Sequence, residues 1–547
     1  MEEKWWKSAV IYQIYPKSFQ DSNDDGIGDI RGIISRLDYL EELGVDAVWI
    51  SPVYSSPQVD SGYDISNYQD IDPMFGNMED MDCLIEECNK RNIRIIMDLV
   101  LNHSSDQHRW FQEAKKSKDN PYHDYYIWRD GNEGELPNGM MAYFGGSAWE
   151  WVPELQQYYF HQFTSEQPDL NWHNEKVRQE LYEMIRWWME KGIQGFRLDV
   201  IDLVAKEPDL GIAENGPKLH EYVRELSKNT FQKNPDIITV GEAGNTGVES
   251  ALLFSAQDGS ELSMVFQFEH MDMAHNKENQ INWVLPFELA ELKEIMSRWQ
   301  VELYEKGWNS LFWENHDQPR IVSRWGTDMA YRREVAKMYA ILLHGMQGTP
   351  FVYQGEELGM TNVTFADIED YRDVAAKNLY QRMLDRGYTK EDAMTLIWKD
   401  GRDNARTPMQ WDKSLHAGFT KGTPWITENP NYLEINAEDE RKDPDSVFHF
   451  YRKLIQLRKE YSVFVEGNYS LCDKENKDSF SYLRSSDEEE LYVVCSFANH
   501  CTETVIPERF LESGILLLGN YSDSLPGELK PYEGRIYYRK KCAGENE

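Results

Sequence analysis

The chain has 547 residues, long enough for two or three domains around a large core. Its 57 Lys and Arg stand against 95 Asp and Glu, and the formal charge of −38 repels nucleic acid and anionic membranes, leaving neutral or cationic ligands as better partners. The same field disfavours phosphorylated sugars, although a local cluster of Lys or Arg can override a global average.

The opening stretch MEEKWWKSAVIYQIYP has no long apolar segment after a basic region, and no run approaches the roughly 18 apolar residues of a membrane span. A soluble, cytoplasmic protein with no membrane partner is expected. Cys83, Cys88, Cys472, Cys495, Cys501 and Cys542 are sparse and lack metal-site or CxxC spacing, which predicts reduced, structural thiols.

The first strand-like run, VIYQIY near residue 10, leads into DSNDDGIGD at 21 to 29. That loop offers oxygens from Asp21, Asn23, Asp25 and Asp29 at alternate positions, with the Ile27 carbonyl between them and Gly26 for the turn, a spacing that suits a structural calcium ion. Gly32 stands where an EF-hand carries its closing glutamate, so the loop is related to that motif without being one. GIGDIRG at 26 to 32 misses the GxGxxG spacing of a nucleotide loop by one residue.

A helical period follows at Ile30, Ile33, Ile34, Leu37, Leu40 and Leu43, closed by Gly44. Strand-like and helix-like segments then alternate through VDAVWIS near 45, IRIIMDLVL near 93, GIQGFRLDV near 192, DIITVGEA near 236, SMVFQFEH near 263, SLFWENHD near 310 and TPFVYQGEE near 349. Eight short β-branched or aromatic runs separated by helical stretches predict an α/β fold, a (β/α)8 TIM barrel of parallel strands.

Residues 1–103 and 174–464 are assigned to the barrel. Between them, 104–173 lacks a helix period and is crowded with aromatics, glycine and proline, which predicts an inserted loop-rich domain after the third strand. A smaller subdomain is expected at about 361–430, before the helix-like SVFHFYRKLIQLRKEY at 446 to 461. From 465 to 547, short alternating runs such as SFSYLRSS, ELYVVCSFAN and GRIYYRK predict a C-terminal antiparallel β-sandwich that covers the barrel.

Asp199, Glu242 and Asp317 each close one of the strand-like runs, and a barrel enzyme keeps its chemistry at that end of its strands. Two carboxyls can cleave a glycosidic bond, one protonating the leaving oxygen while the other attacks the anomeric carbon or activates water. Asp199 lies two residues after Arg197, so a strand points both side chains to one face, and the cation is expected to hold a nucleophilic carboxylate ionised. Glu242 follows the apolar IITV with no cation beside it in sequence, a setting suited to a protonated acid. No GxSxG, HExxH or Walker pattern is present, so serine hydrolase, zinc protease and nucleotide-dependent chemistry lack their residues.

On these residues the chain resembles the α-amylase superfamily, glycoside hydrolase family 13, over nearly its whole length. DLVLNH (98–103), GFRLDV (195–200), GEA (241–243) and ENHDQ (314–318) match its four signature regions, and QPDLNW (167–172) matches a fifth. The resemblance implies a retaining α-glycosidase with Asp199 as nucleophile, Glu242 as acid/base and Asp317 as transition-state stabiliser. Arg197 would orient Asp199, and His103 and His316 would bind sugar hydroxyls. QVDSGYDI (58–65) and GRDNARTPMQW (401–411) resemble the oligo-1,6-glucosidase and dextran glucosidase branch. By that resemblance Asp60 and Arg402 grip the terminal glucose, with Arg406 a competing choice, Tyr63 stacks on it, and Phe144, Phe163 and Gln167 build the pocket wall.

Val200 after the nucleophile resembles branch members that prefer α-1,6 bonds. The implied activity is exo-hydrolysis of isomaltose, panose and short dextrans, with small saccharides as partners, no organic cofactor, and no protein partner indicated. Sister activities in the branch are α-1,4-glucosidase, sucrose-isomerising transglucosidase and trehalose-6-phosphate hydrolase. A non-catalytic reading exists in barrel relatives that accompany amino-acid transporters; those lose triad residues and carry a span, whereas here the triad is intact.

Overall fold

In the computed structural model, which describes residues 4–278, 281–327 and 330–541, the eight predicted runs form one eight-stranded sheet. Its strands are Ile11–Ile14, Ala47–Ile50, Arg94–Val100, Gly195–Asp199, Ile238–Glu242, Met264–Phe266, Ser310–Leu311 and Thr349–Tyr353. All neighbours pair in parallel. A parallel bridge between Val265 and Asn309 joins the two ends, so the sheet closes and keeps no open edge.

Alternation along each strand decides what faces the barrel axis. Phe196 packs outward, its ring 5.7 Å from that of Phe231, while Arg197 turns inward to lie 5.2 Å from the Trp49 ring. Trp49, Phe266 and Phe351 contact one another and fill the interior beneath the site. Register sets Asp98 beside Arg197 and Val100 beside Asp199, which brings the charges of two strands together at one mouth.

Two elements depart from expectation. The helix expected over 30 to 43 is broken into Ile30–Ser35 and Leu37–Leu43 at Arg36, whose side chain donates to Gln20 and covers the Trp411 ring at 4.1 Å. The seventh strand stops at Leu311, because the next carbonyl, that of Phe312, accepts from His270 Nε2 at 3.0 Å instead of joining the ladder.

Within the long segment after the third strand, Trp128–Asp130, Gln157–Phe160 and Trp149–Val152 form a three-stranded antiparallel sheet. Bridges from His103 to Asp169 and from Tyr126 to Leu170 tie it down beside the barrel mouth. After the eighth strand, helices Val374–Asp385 and Lys390–Asp400 pack on a small apolar cluster that includes Ala376 and Ile397.

The C-terminal strands Asn468–Cys472, Ser479–Ser485, Glu489–Ser496, Ile515–Gly519 and Gly534–Lys540 form an antiparallel sheet, and Thr502–Glu503 pairs with Glu528–Leu529 in a second layer. The two-residue period divides its faces. Leu491, Val493 and Cys495 join the barrel core, while Tyr492 and Val494 meet Ile506, Phe510 and Leu529 of the other layer. The five described cysteines are free, and Cys542 lies outside the described residues. No described helix is long and apolar enough to cross a membrane.

Candidate active site

Asp199 and Glu242 are the last residues of adjacent strands, and one guanidinium joins them. Arg197 Nη1 donates to Asp199 Oδ1 at 2.7 Å and to Asp98 Oδ1 at 2.8 Å, and Nη2 meets Glu242 Oε2 at 2.5 Å. Glu242 has no cation beside it in sequence, and the fold supplies one: the Arg197 fork reaches it from the neighbouring strand.

One correction concerns Asp199. Burial pushes its carboxyl well above the usual carboxylate range, against the pull of Arg197, rather than leaving it simply held ionised. Asp98, also buried, is pushed up to about 6 while accepting from Arg197, Tyr63 Oη and Trp49 Nε1. One cation faces three acids here, and its pull does not offset the burial that raises Asp199 and Asp98.

Asp317 is the opposite case. Burial works to raise it, but neighbouring positive charge outweighs burial and holds it well below the usual range. His316 beside it is itself kept neutral by burial, at about 3, so the cations responsible are Arg402 and Arg406.

The two arginines differ in access. Arg406 is 2% exposed, donating to Asp317 Oδ1 at 2.5 Å and to the His316 carbonyl at 3.0 Å. Arg402 is 15% exposed and reaches Asp60 and Asp317, each at 3.4 Å, with Phe144 covering it at 5.1 Å. Asp373, which no sequence motif marked, anchors Arg402 at 2.5 Å.

Tyr63 and Tyr15 sandwich the His316 ring. Gln13 donates to His316 Nδ1 at 2.9 Å, so Nε2 carries the proton and donates to Tyr63 Oη at 2.6 Å, and that hydroxyl donates to Asp98 at 3.0 Å. Tyr63 is thus wired to the carboxylate group. His103 is buried against the Phe163 ring at 5.1 Å, and Gln167 Nε2 lies 3.2 Å from Asp60 and 3.1 Å from His103. Phe144 and Phe163 pack on each other at 5.7 Å. All the site residues named from the sequence therefore gather at one mouth, except the loop at 21 to 29.

Sequence reasoning also missed the buried Lys206, whose ammonium bridges Asp169 and Asn102 at 2.6 and 2.5 Å behind His103. Asp98 could have been found, since it opens DLVLNH at the same strand depth as Arg197. Lys206 and Asp373 carry no local signal.

Val200, directly after Asp199, has the left-handed backbone φ 35°, ψ 48°, and its N–H donates to Glu242 Oε2 at 3.1 Å. A β-branched residue there is strained by about 1–3 kcal/mol. The turn aims Val200 into a cavity of about 200 Å³ that also meets Glu242 and the rings of Tyr143, Phe163 and Phe268.

In the loop at 21 to 29, Asp21 Oδ1 accepts the N–H groups of Asn23 and Asp24, and Oδ2 accepts Gly26 N–H and the Thr420 hydroxyl. Asp29 caps the helix at 30 by accepting Gly32 N–H at 2.6 Å. Among the described residues no three acidic, histidine or cysteine side chains converge to hold a metal. In this arrangement the loop does not fit an ion without Asp21 giving up some of its N–H donors.

Comparison with known proteins adds three findings. The model of the alpha-amylase catalytic domain matches residues 13–467. The chain is 50% identical to an oligo-1,6-glucosidase of Halalkalibacterium halodurans over 99% of this chain and 100% of that one, and 52% identical to a glucan 1,6-alpha-glucosidase of Streptococcus pneumoniae over 91% and 92%. It superposes on the crystal structure of Bacillus licheniformis trehalose-6-phosphate hydrolase with a TM-score of 0.93 at 45% identity, covering 98% of this chain and 100% of that one.

Proposed function

The chain belongs to the alpha-amylase family of glycoside hydrolases, and from its site we propose a retaining, exo-acting α-glucosidase that cleaves α-1,6-glucosidic bonds at the non-reducing ends of isomaltose, panose and short dextrans. The observation that carries this reading is the Arg197 fork, which holds Asp199 and Glu242 at one mouth instead of in separate cavities.

In the proposed sequence Glu242 gives its proton to the glycosidic oxygen while an Asp199 oxygen bonds to the anomeric carbon, and the leaving sugar departs as an alcohol. Water then passes a proton to Glu242 and attacks the glucosyl–Asp199 ester, freeing α-glucose and the Asp199 carboxylate. Ionised Asp317 stabilises the positive charge that develops on the ring in both steps. Asp60 and Arg402 hold the terminal glucose, Tyr63, His103 and His316 contact it, and Phe144, Phe163 and Gln167 form the wall. Val200 at the cavity beside Glu242, together with the names of the relatives, supports the α-1,6 linkage. No organic cofactor enters the chemistry.

The free thiols of the described cysteines support a reducing, cytoplasmic setting. Calcium at Asp21, Asn23, Asp25, the Ile27 carbonyl and Asp29 is proposed as a structural ion whose binding would replace part of the hydrogen bonds that Asp21 now accepts, supported by the all-oxygen donor set at alternate positions. A melting temperature that rises with calcium and falls with a chelator is the expected result, and indifference to both would remove the ion.

The function is tested by proton NMR of early p-nitrophenyl α-glucoside turnover, in which the only glucose released is the transferred one and α-glucose is expected first, with Asp199→Asn inactive. Initial β-glucose would overturn the roles. Equal rates on isomaltose and maltose would remove only the linkage.

A further inference from the structure

The cavity beside Glu242 is where the proposed mechanism seats the leaving sugar, and its lining is one-signed. Asp202, Glu242 and Asp272 contribute carboxyls, and none of the lining residues is Lys, Arg or His. Asp202 is 2% exposed, and its Oδ2 accepts Asn245 N–H at 3.2 Å. Burial pushes its pKa up to about 7, so a share of it is ionised at neutral pH. Glu214 adds a further acid at the rim, accepting from Tyr143 Oη at 2.9 Å and from Asn245.

The nearby cations are engaged elsewhere. Arg197 serves Asp98, Asp199 and Glu242. Arg324 donates to the Met271 carbonyl and to Gln318, each at 2.7 Å, and is near enough to Asp272 to offset that charge. Arg298 pairs with Glu269. Asp202 and Glu214 are left to set the sign of the potential in a small aromatic-walled space, with the field of a chain of net charge −38 behind them.

Resting on the glucosidase reading, we propose that this leaving-group site selects by charge: it takes a neutral or cationic sugar, such as an amino sugar, and rejects a phosphorylated one, with Asp202 as a specificity-determining residue. The global charge already disfavours phosphorylated sugars, and among the described lining residues no basic cluster reverses that. A phosphate here would meet carboxyls with no guanidinium or ammonium among the described lining residues to receive it.

The site can be read through glucosyl transfer. When an acceptor hydroxyl replaces water, the glucosyl–Asp199 ester bond breaks as the new glycosidic bond forms, and the acceptor proton passes to Glu242. With p-nitrophenyl α-glucoside as donor at pH 7, where Asp202 is about half ionised, glucose, protonated glucosamine and glucose 1-phosphate, all with a free 6-hydroxyl, are compared at equal concentration by transfer product per nitrophenol released.

Glucosamine is expected to match or exceed glucose, and glucose 1-phosphate to fall at least about fivefold below it. Glucose 1-phosphate within that margin overturns the proposal. Asp202→Asn is expected to narrow the glucosamine to glucose 1-phosphate ratio by about fivefold, and an unchanged ratio removes Asp202 from the role. If that variant does not fold, salt on the wild type decides: the ratio should shrink as ionic strength rises from about 0.02 to 0.5 M, and a constant ratio counts against charge selection. Failure of the wild type to release nitrophenol at all would instead sink the glucosidase reading, a separate and visible outcome.

Discussion

Arg197 Nη2 and Glu242 Oε2 meet at 2.5 Å, while the other terminal nitrogen of the same guanidinium serves Asp199 and Asp98. Two carboxylates about 5 Å apart at an effective dielectric of about 20 repel by about 3 kcal/mol, and here three share one cation. The arginine therefore orients both proposed catalytic carboxyls and offsets part of the repulsion among the three acids.

Replacing Arg197 tests this coupling. Arg197→Gln leaves the three acids without their cation, and breaking a buried pair in this way costs about 3–5 kcal/mol of stability. The melting temperature should fall more at pH 8 than at pH 5, where protonation relieves the repulsion, and kcat on p-nitrophenyl α-glucoside should fall at least about a thousandfold. Arg197→Lys keeps the charge but not the two-nitrogen fork, so it should restore stability more than activity. A Gln variant with wild-type kcat would show the fork to be dispensable.

Arg402 and Arg406 both reach Asp317, yet their burial predicts different failures. Arg402→Ala removes the more accessible guanidinium between Asp60 and Asp317 and should lower kcat/KM by about a hundredfold with a folded protein. Arg406→Ala strips a fully buried cation from Asp317 and should cost about 3–5 kcal/mol of stability. Asp373→Asn should mimic a weakened Arg402, raising KM more than it lowers kcat. Steady-state kinetics beside thermal melts separates the three, and equal unfolding by both arginine variants would contradict the division.

Asp64 supplies a pH test of the loop that carries Asp60 and Tyr63. Its buried carboxyl accepts Val59 and Asp60 N–H groups, and burial pushes its pKa up to about 6, above the roughly 3.9 of an unfolded aspartate. A raised acid binds more protons folded than unfolded, so its contribution is complete below about pH 4 and is lost as pH rises through about 6, on the order of 3 kcal/mol at most. Asp64→Asn cannot lose it that way. The difference in melting temperature, variant minus wild type, should climb between pH 4 and 7, and a flat difference would show that folding does not raise the Asp64 carboxyl.

What the sequence made legible follows from how local each signal is. The strands were readable because a buried parallel strand is a short continuous apolar run, and Asp199, Glu242 and His103 lie at or just past the ends of such runs. The break at Arg36 was not, because contacts to Gln20 and Trp411 from distant segments fix it. Asp373 and Lys206 escaped for the same reason: each matters only through a partner that the fold brings to it. The Arg197–Glu242 contact shows the limit most sharply, since adjacency in sequence gave Asp199 its cation and concealed that Glu242 shares it.

The strained turn at Val200 makes the proposed bond selection testable. Its left-handed conformation presents the N–H to Glu242, and the residue lines the cavity proposed to take the leaving sugar. Val200→Thr keeps the β-branch and the N–H while placing a hydroxyl in the cavity, which should change leaving-group preference without disturbing Glu242. The isomaltose to maltose ratio of kcat/KM is expected to fall by about tenfold, equivalent to about 1.4 kcal/mol, with p-nitrophenyl α-glucoside turnover changed less. Val200→Gly relaxes the strain but lets the turn move, and should lower kcat on both sugars together. If Thr leaves the ratio unchanged while Gly alters it, the backbone of the turn and not the valine side chain sets the linkage.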